Sequence, residues 1–284
     1  MRAAYRAGVK RDLAPGRIQF HRENSTLGAT AEPLNPFVTR PVLGVNVVVS
    51  NYDAAIEQSI VWAREGQSRA LFFAAVHMIM ETVDDPAFLS QLNSSGAVFP
   101  DGVPLVWALH ALGERGATRV CGPDFTALML AAAERASVPV GFYGASQATL
   151  DALAAAVRLR HPKLDIAYLE SPPFRPLTPE EDLAVVDRIA SSRARLLFVG
   201  LGCPKQERWI VEHLGRVPAV MFAVGAAFDF IAGNKRRAPR WVQHRGLEWA
   251  FRFATEPRRL AMRYLKHNPR FVLRFLRQLL AKTA

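Results

Sequence analysis

The chain has 284 residues with 36 Lys and Arg against 25 Asp and Glu, a formal net charge of +11. The excess is local: residues 235–284 carry 14 basic and 2 acidic side chains, residues 1–234 carry 22 and 23. The near-neutral body excludes a uniformly basic, histone-like or ribosomal character, and a half-apolar composition with 10% aromatics excludes a mostly disordered chain.

Two cysteines, Cys121 and Cys203, without a CxxC pair exclude a disulfide framework and a metal knuckle, and they fit a reduced, cytoplasmic compartment. The first residues scatter charges through MRAAYRAGVKRDLAPGR and lack the apolar core of a secretory signal. Apolar runs stop short of the roughly 18–20 residues a spanning helix requires, so any membrane contact is expected to be peripheral.

Residues 1–40, rich in Arg, Pro, Gly and Asn, read as a poorly ordered extension. LGVNVVV (43–49) then predicts a strand, residues 52–65 a helix, and ALFFAAV (70–76) a strand. AVFP (97–100) predicts a strand before a helix over 103–112, and PVGFYG (139–144) one before a helix from Gln147. LDIAYL (164–169) precedes a Pro-rich loop and a helix from Thr178, and RLLFVG (195–200) and AVMFAVG (219–225) complete the strands. Continuous apolar strands separated by helices imply an α/β fold, a doubly wound, Rossmann-like parallel sheet spanning residues 41–234. Residues 235–284 form a basic helical appendage.

Ligands of such sheets bind beyond the carboxyl ends of the strands. The loops expected there are PDGVPLVWA (100–108), RVCGPDF (119–125), YGASQ (143–147), GLGCPKQE (200–207) and GAAFDFIAG (225–233). Gly144, Gly200, Gly202 and Gly225 let backbone approach a ligand. A helix starting near Pro204 offers free N–H groups, and Lys205 a charge, to a phosphate; an ordinary strand-to-helix turn explains the same residues. Asp101 at a strand end suits a general base, and Asp-Gly is equally turn chemistry. Asp229, between two phenylalanines, can bond a ligand or cap a helix, and His77 can bind a ligand or sit in the core. Neither GxGxxG nor GxxxxGK[ST] nor DxD occurs, which argues against a nucleotide-dependent oxidoreductase, a P-loop and a metal-bridged diphosphate.

In the tail, Arg270, Arg274 and Arg277, and likewise Arg259, Arg263 and Lys266, recur on one helical face among Phe271, Val272, Phe275, Leu276 and Leu279. Pro257 and Pro269 are expected to separate the helices. Such faces suit an anionic membrane surface; solvated faces of packing helices are the plainer reading, and no nucleic-acid-binding motif is present.

PDGVPLVWALHALG, RVCGPDF, FYGAS, PPF (172–174), VGLGCPKQE, VGAAFDFIAG, RAPRWVQHRGLEW, FRFATEPRRLAMRYL and NPRFV, in this order from Leu43 to Val272, together resemble the bacterial TagA/WecG/CpsF glycosyltransferases. The resemblance implies inverting transfer of N-acetylmannosamine, its uronic acid or another hexose from a UDP-sugar to a polyprenyl-diphosphate-linked acceptor, without a metal or other cofactor. It implies Asp101 as general base, and Arg119, Asp124, Gly144, Gly200, Gly202, Pro204, Lys205, Gln206, Glu207, Gly225 and Asp229 around the substrates. Arg252, Arg258, Arg259 and Arg263 fall in the appendage thought to reach over the site and dock on the inner face of the cytoplasmic membrane. Phe73 and Ala75 stand where members often carry Thr and Asn, which leaves a non-catalytic membrane adaptor as the alternative. Whether the chain forms a homo-oligomer is left open.

Overall fold

The computed structural model describes residues 36–239, 242, 248–255 and 257–283. The strands are β1 (Thr39–Val42), β2 (Val45–Val48), β3 (Arg69–Ala74), β4 (Ala97–Pro100), β5 (Val140–Gly144), β6 (Ile166–Glu170), β7 (Leu196–Gly200) and β8 (Val220–Ala223). They form one sheet in the order β1-β2-β4-β3-β8-β7-β5-β6. Every neighbouring pair is parallel except β1 with β2. The expected α/β, doubly wound sheet is therefore present.

Eleven helices fall among the described residues: α1 (Tyr52–Arg64), α2 (Val76–Asp84), α3 (Pro86–Ser95), α4 (Val103–Ala111), α5 (Gly122–Ala136), α6 (Gln147–Arg160), α7 (Pro179–Ser191), α8 (Lys205–His213), α9 (Ala227–Ile231), α10 (Glu248–Thr255) and α11 (Pro257–Thr283). Successive strand residues point to opposite faces, so two cores form. Phe72 and Val199 pack with α2, α3, α4, α7, α8 and α11. Phe73 and Phe198 pack with α1, α5, α6 and α9. Local signals start several helices: the side chains of Asn51, Asp85 and Ser146 cap α1, α3 and α6, and Thr178 forms a capping box with Glu181 at α7.

Several expectations are corrected. The run 43–49 is not one strand: Leu43 and Gly44, both at positive φ (49° and 91°), turn the chain into a β1–β2 hairpin that begins inside the expected extension. Residues 1–35 of that extension lie outside the described residues. The strand of 70–76 ends at Ala74, and His77 belongs to α2. GPDF (122–125) opens α5, and the GAAFDFIAG loop contains α9.

Pro269 does not end a helix but lies inside α11. A proline there removes one backbone hydrogen bond and crowds the preceding turn; tertiary contacts on both sides of it offset that loss. Phe271 and Phe275 are buried in the core beneath α2, each worth about 1.5–3 kcal/mol by burial. Arg270 forms a two-pronged ion pair with Asp84 of α2. The Gln278 amide accepts from Leu43 N (2.8 Å) and donates to the Pro41 carbonyl (2.7 Å), pinning α11 to the hairpin.

The backbones of β5 and β7 approach each other closely. Gly144 has φ +123°, and a Cβ there would lie 2.6 Å from the Gly200 carbonyl. Gly144→Ala is expected to cost about 2–4 kcal/mol from conformational strain plus overpacking. Urea unfolding checks this; an unchanged midpoint would contradict it.

Candidate active site

Beyond the carboxyl ends of β3, β4, β7 and β8 lies a cavity of about 730 Å³, in the position expected for a parallel α/β sheet. Its polar wall is built on the Asp101–Gly102 turn, whose two backbone N–H groups both donate to the Ala74 carbonyl at the end of β3 (2.9 and 3.1 Å). The segment carrying Arg119 is tied to the same place, because Val120 N donates to the Pro100 carbonyl (3.0 Å).

Arg119 joins three groups. Its Nη2 donates to Asp101 Oδ1 (2.9 Å), its Nε to the Asp101 backbone carbonyl, and its Nη1 to Glu248 Oε2 (3.1 Å). Burial opposes the guanidinium charge, but Asp101 and Glu248 outweigh it, so Arg119 is held firmly protonated. Glu248 is itself buried and stands in the first turn of α10, where the helix dipole favours a carboxylate.

Gln206 and Glu207 from the first turn of α8 line the same cavity. The Gln206 amide accepts from Gly202 N (3.1 Å) and donates to Glu207 Oε1 (3.0 Å). Glu207 is 1% exposed, and its Oε2 has no hydrogen-bond partner among the described residues. Burial pushes its carboxyl up to about 7, with Gln206 pulling it back only in part. Such a carboxyl holds its proton near neutrality and can donate a hydrogen bond into the cavity.

The remaining wall is apolar. Phe73, stacked on Phe99 at 6.2 Å, and Ala75 stand at the end of β3, and Phe271, Val272, Phe275, Leu276 and Leu279 come from α11. Trp107 of α4 lines it while being 67% exposed. The residues that open α2, among them Val76 and His77, also line the cavity, and α2 starts without a side-chain cap.

Of the residues expected at the site, the cavity brings together Asp101, Arg119, Gly202, Gln206, Glu207, Gly225 and Arg263, with His77, Phe73 and Ala75. Asp124 lies beneath: it pairs with Arg237 and accepts from the Cys121 thiol (2.9 Å), whose own backbone N donates to Tyr52 Oη (2.9 Å). Burial pushes that thiol up to about 12, so it remains a donor. Gly144 and Gly200 are where the β5 and β7 backbones meet, and Phe228 covers Gly200. Pro204 caps α8, Lys205 points to solvent, and Asp229 faces Lys235 at 3.6 Å. Arg258 is exposed on α11; Arg252 and Arg259 lie on α10 and α11, their side chains outside the described residues.

Glu248 escaped the sequence reading, and the helical start of α2 stood within what read as a strand. The one available signal for Glu248 was its rarity, an acid among fourteen bases in the tail. Among the described residues no three His, Cys, Asp or Glu side chains cluster as a metal ion requires, and no helix is long and apolar enough to cross a membrane.

A paired carboxylate and guanidinium, a buried carboxyl and an apolar wall share one cavity at the edge of a doubly wound sheet, and the chain is a group-transfer enzyme. The chain is a member of the glycosyl transferase WecG/TagA/CpsF family, whose sequence profile matches residues 40–284. It is 29% identical over 198 residues to the N-acetylglucosaminyldiphosphoundecaprenol N-acetyl-beta-D-mannosaminyltransferase of Bacillus spizizenii, covering 69% of this chain and 74% of that one. It is 30% identical over 187 residues to the protein of that name from Staphylococcus aureus, covering 66% and 71%.

The Glu207 carboxyl has a consequence for stability. Its folded value of about 7 exceeds its ordinary 4.5, so between those pH values the native state keeps a proton that the unfolded chain gives up. Its contribution is full below 4.5 and is lost as pH rises to about 7, a fall of a few kcal/mol. Glu207→Gln should remove that fall, so urea unfolding at pH 5 and pH 8 should differ less in the variant; equal differences would contradict the assignment.

Proposed function

We propose that this glycosyltransferase moves an N-acetylmannosaminyl group from a UDP-linked donor to N-acetylglucosamine carried on a polyprenyl diphosphate, for a cell-surface glycan, on the inner face of the cytoplasmic membrane. The relatives named above act, by name, on such an acceptor with such a sugar. The observation that carries the reading is one cavity with two characters, lined both by Asp101 and Arg119 and by the aromatic and aliphatic residues of α11. An acceptor with a polar sugar, a diphosphate and an isoprenoid chain needs both.

In the transfer, the acceptor hydroxyl oxygen attacks the anomeric carbon from the face opposite the UDP group. Its proton passes to the Asp101 carboxylate, the bond from the anomeric carbon to the phosphate oxygen breaks, and UDP leaves with the bonding electrons, so the anomeric centre inverts. Cationic side chains that line the cavity, Arg263 among them, and helix-end amides meet the charge that develops on the leaving diphosphate. The reading requires no divalent ion.

The outer face of α11 supports the membrane part. Met262, Leu265, Leu273 and Leu280 are all exposed and recur on one side of the helix. Lys266, Arg274 and Arg277, also exposed, flank that stripe. Trp107, Trp249 and Phe253 add exposed aromatic surface. Apolar residues bordered by cations suit an anionic lipid surface.

Asp101→Asn should keep donor binding and lower transfer by about 10²–10⁴-fold, read as UDP release with polyprenyl-linked N-acetylglucosamine. Undiminished transfer would remove Asp101 as base, and strict dependence on Mg²⁺ or Mn²⁺ after EDTA treatment would contradict the metal-free reading. Leu273→Asp with Leu280→Asp should abolish sedimentation with phosphatidylglycerol vesicles while leaving the unfolding midpoint in place; unchanged sedimentation would count against the membrane role.

A further inference from the structure

We infer that a second cavity, lying between α10 and α11 and adjoining the first, takes the isoprenoid chain of the acceptor and leads it from the sheet edge to the lipid surface. This rests on the acceptor being lipid-linked, as proposed above.

The second cavity measures about 680 Å³, within the roughly 300–1,000 Å³ of small-molecule sites. Trp249 and Phe253 of α10 and Ala261, Leu265, Pro269 and Leu273 of α11 line it. The last four recur at every fourth position along one side of α11, and at 1.5 Å per residue they extend the groove over about 18 Å. Tyr264 stands between the two helices, its ring 6.4 Å from that of Trp249 and 6.1 Å from that of Phe253. Among the described residues no charged side chain lines this space. Pro269, which a helix interior disfavours, contributes an apolar ring to it.

Trp249, Tyr264, Asn268 and Val272 line both cavities, so the two meet at a shared wall. Arg263 lines the first cavity and borders that join, its guanidinium 5.9 Å from the Tyr264 ring centroid. Leu265 and Leu273 line the second cavity and also belong to the exposed stripe, being 73% and 61% exposed. The series therefore runs from an acid and a guanidinium, past a cation and an amide, into an apolar groove and out to the stripe. A polyprenyl-diphosphate sugar has the same order of hydroxyls, diphosphate, isoprene units and membrane. Its sugar hydroxyl must reach Asp101, and only the diphosphate separates that sugar from the first isoprene units. Those units consequently lie at the join, where leaving them in water is unfavourable in proportion to their apolar area. A bilayer phospholipid has no sugar that must reach Asp101, and so nothing draws its acyl chain to the sheet edge.

The test uses the full-length protein in detergent solution with UDP-N-acetylmannosamine and N-acetylglucosamine diphosphate carried on either two or six isoprene units. For the parent, kcat/KM with the six-unit acceptor should exceed that with the two-unit acceptor by about ten-fold or more. Ala261→Trp, which fills the groove, should remove most of that preference; a preference equal to the parent's overturns the assignment. Should Ala261→Trp not fold, as judged by its urea midpoint, Phe253→Ser is read in the same way. A six-unit acceptor bearing a photoreactive diazirine at its chain end gives a readout that needs no transfer. Irradiation should label the α10 and α11 peptides that line the groove, and excess unlabelled acceptor should suppress the labelling where phosphatidylglycerol does not. Labelling confined to other peptides overturns the proposal, and equal suppression by phosphatidylglycerol gives the groove to bilayer lipid instead. If the parent transfers to neither acceptor while the diazirine labels the groove, the reading of the reaction fails and the groove stands. If it transfers to both acceptors with equal efficiency, the reaction stands and the groove fails.

Discussion

The organising contact of this protein is a single partly buried guanidinium. Arg119 reaches Asp101 at the end of β4 and Glu248 at the start of α10, so one side chain ties the edge of the sheet to the C-terminal helices. Burying a charge of this kind is costly unless it is paired and hydrogen-bonded. That requirement ties the three residues together: removing either carboxylate changes what Arg119 does to the other. The cavity stands where these elements meet, and its polar wall exists only when both are present.

The second constraint is the anchoring of α11. Its inner face buries Phe271 and Phe275 and bonds to α2 and the hairpin, which leaves the aliphatic stripe from Met262 to Leu280 on the outside. One helix thus serves the cavity with one face and the surroundings with another. Its cations are likewise divided, since Arg270 is spent on Asp84 whereas Arg274 and Arg277 remain exposed. The net charge of the tail therefore describes two populations: side chains bound within the fold and side chains facing outward.

How much of this is legible in the sequence depends on how local the cause is. The strands near 140–144 and 196–200, and α7 behind Thr178, follow from apolar runs and a capping box that act within a few residues. The change from β3 to α2 does not, because LFFAAVHMIM is apolar except for His77 and a period cannot be read from so nearly unbroken a run. Pro269 reads as a helix breaker in isolation; contacts with α2 and the hairpin, absent from any local window, keep α11 continuous. At the site, Asp101, Gln206 and Glu207 stand in motifs that announce them, and the cavity gathers them. Lys205 and Asp229 stand in the same motifs yet point to solvent and to Lys235, since a motif sets a turn but not the direction of every side chain in it. Glu248 meets Arg119 only through the tertiary fold; it stands within RAPRWVQHRGLEW, which gives no sign of that contact.

The central claim is that the two characters of the cavity serve one lipid-linked acceptor. It is tested most directly by incubating the full chain with UDP-N-acetylmannosamine and polyprenyl-diphosphate N-acetylglucosamine in lipid vesicles, following UDP release and the mass of the lipid product together. The account predicts one UDP released for each lipid gaining one N-acetylhexosamine, and no release when the isoprenoid acceptor is omitted. UDP release that proceeds equally without the acceptor, or a lipid whose mass does not change, would contradict it.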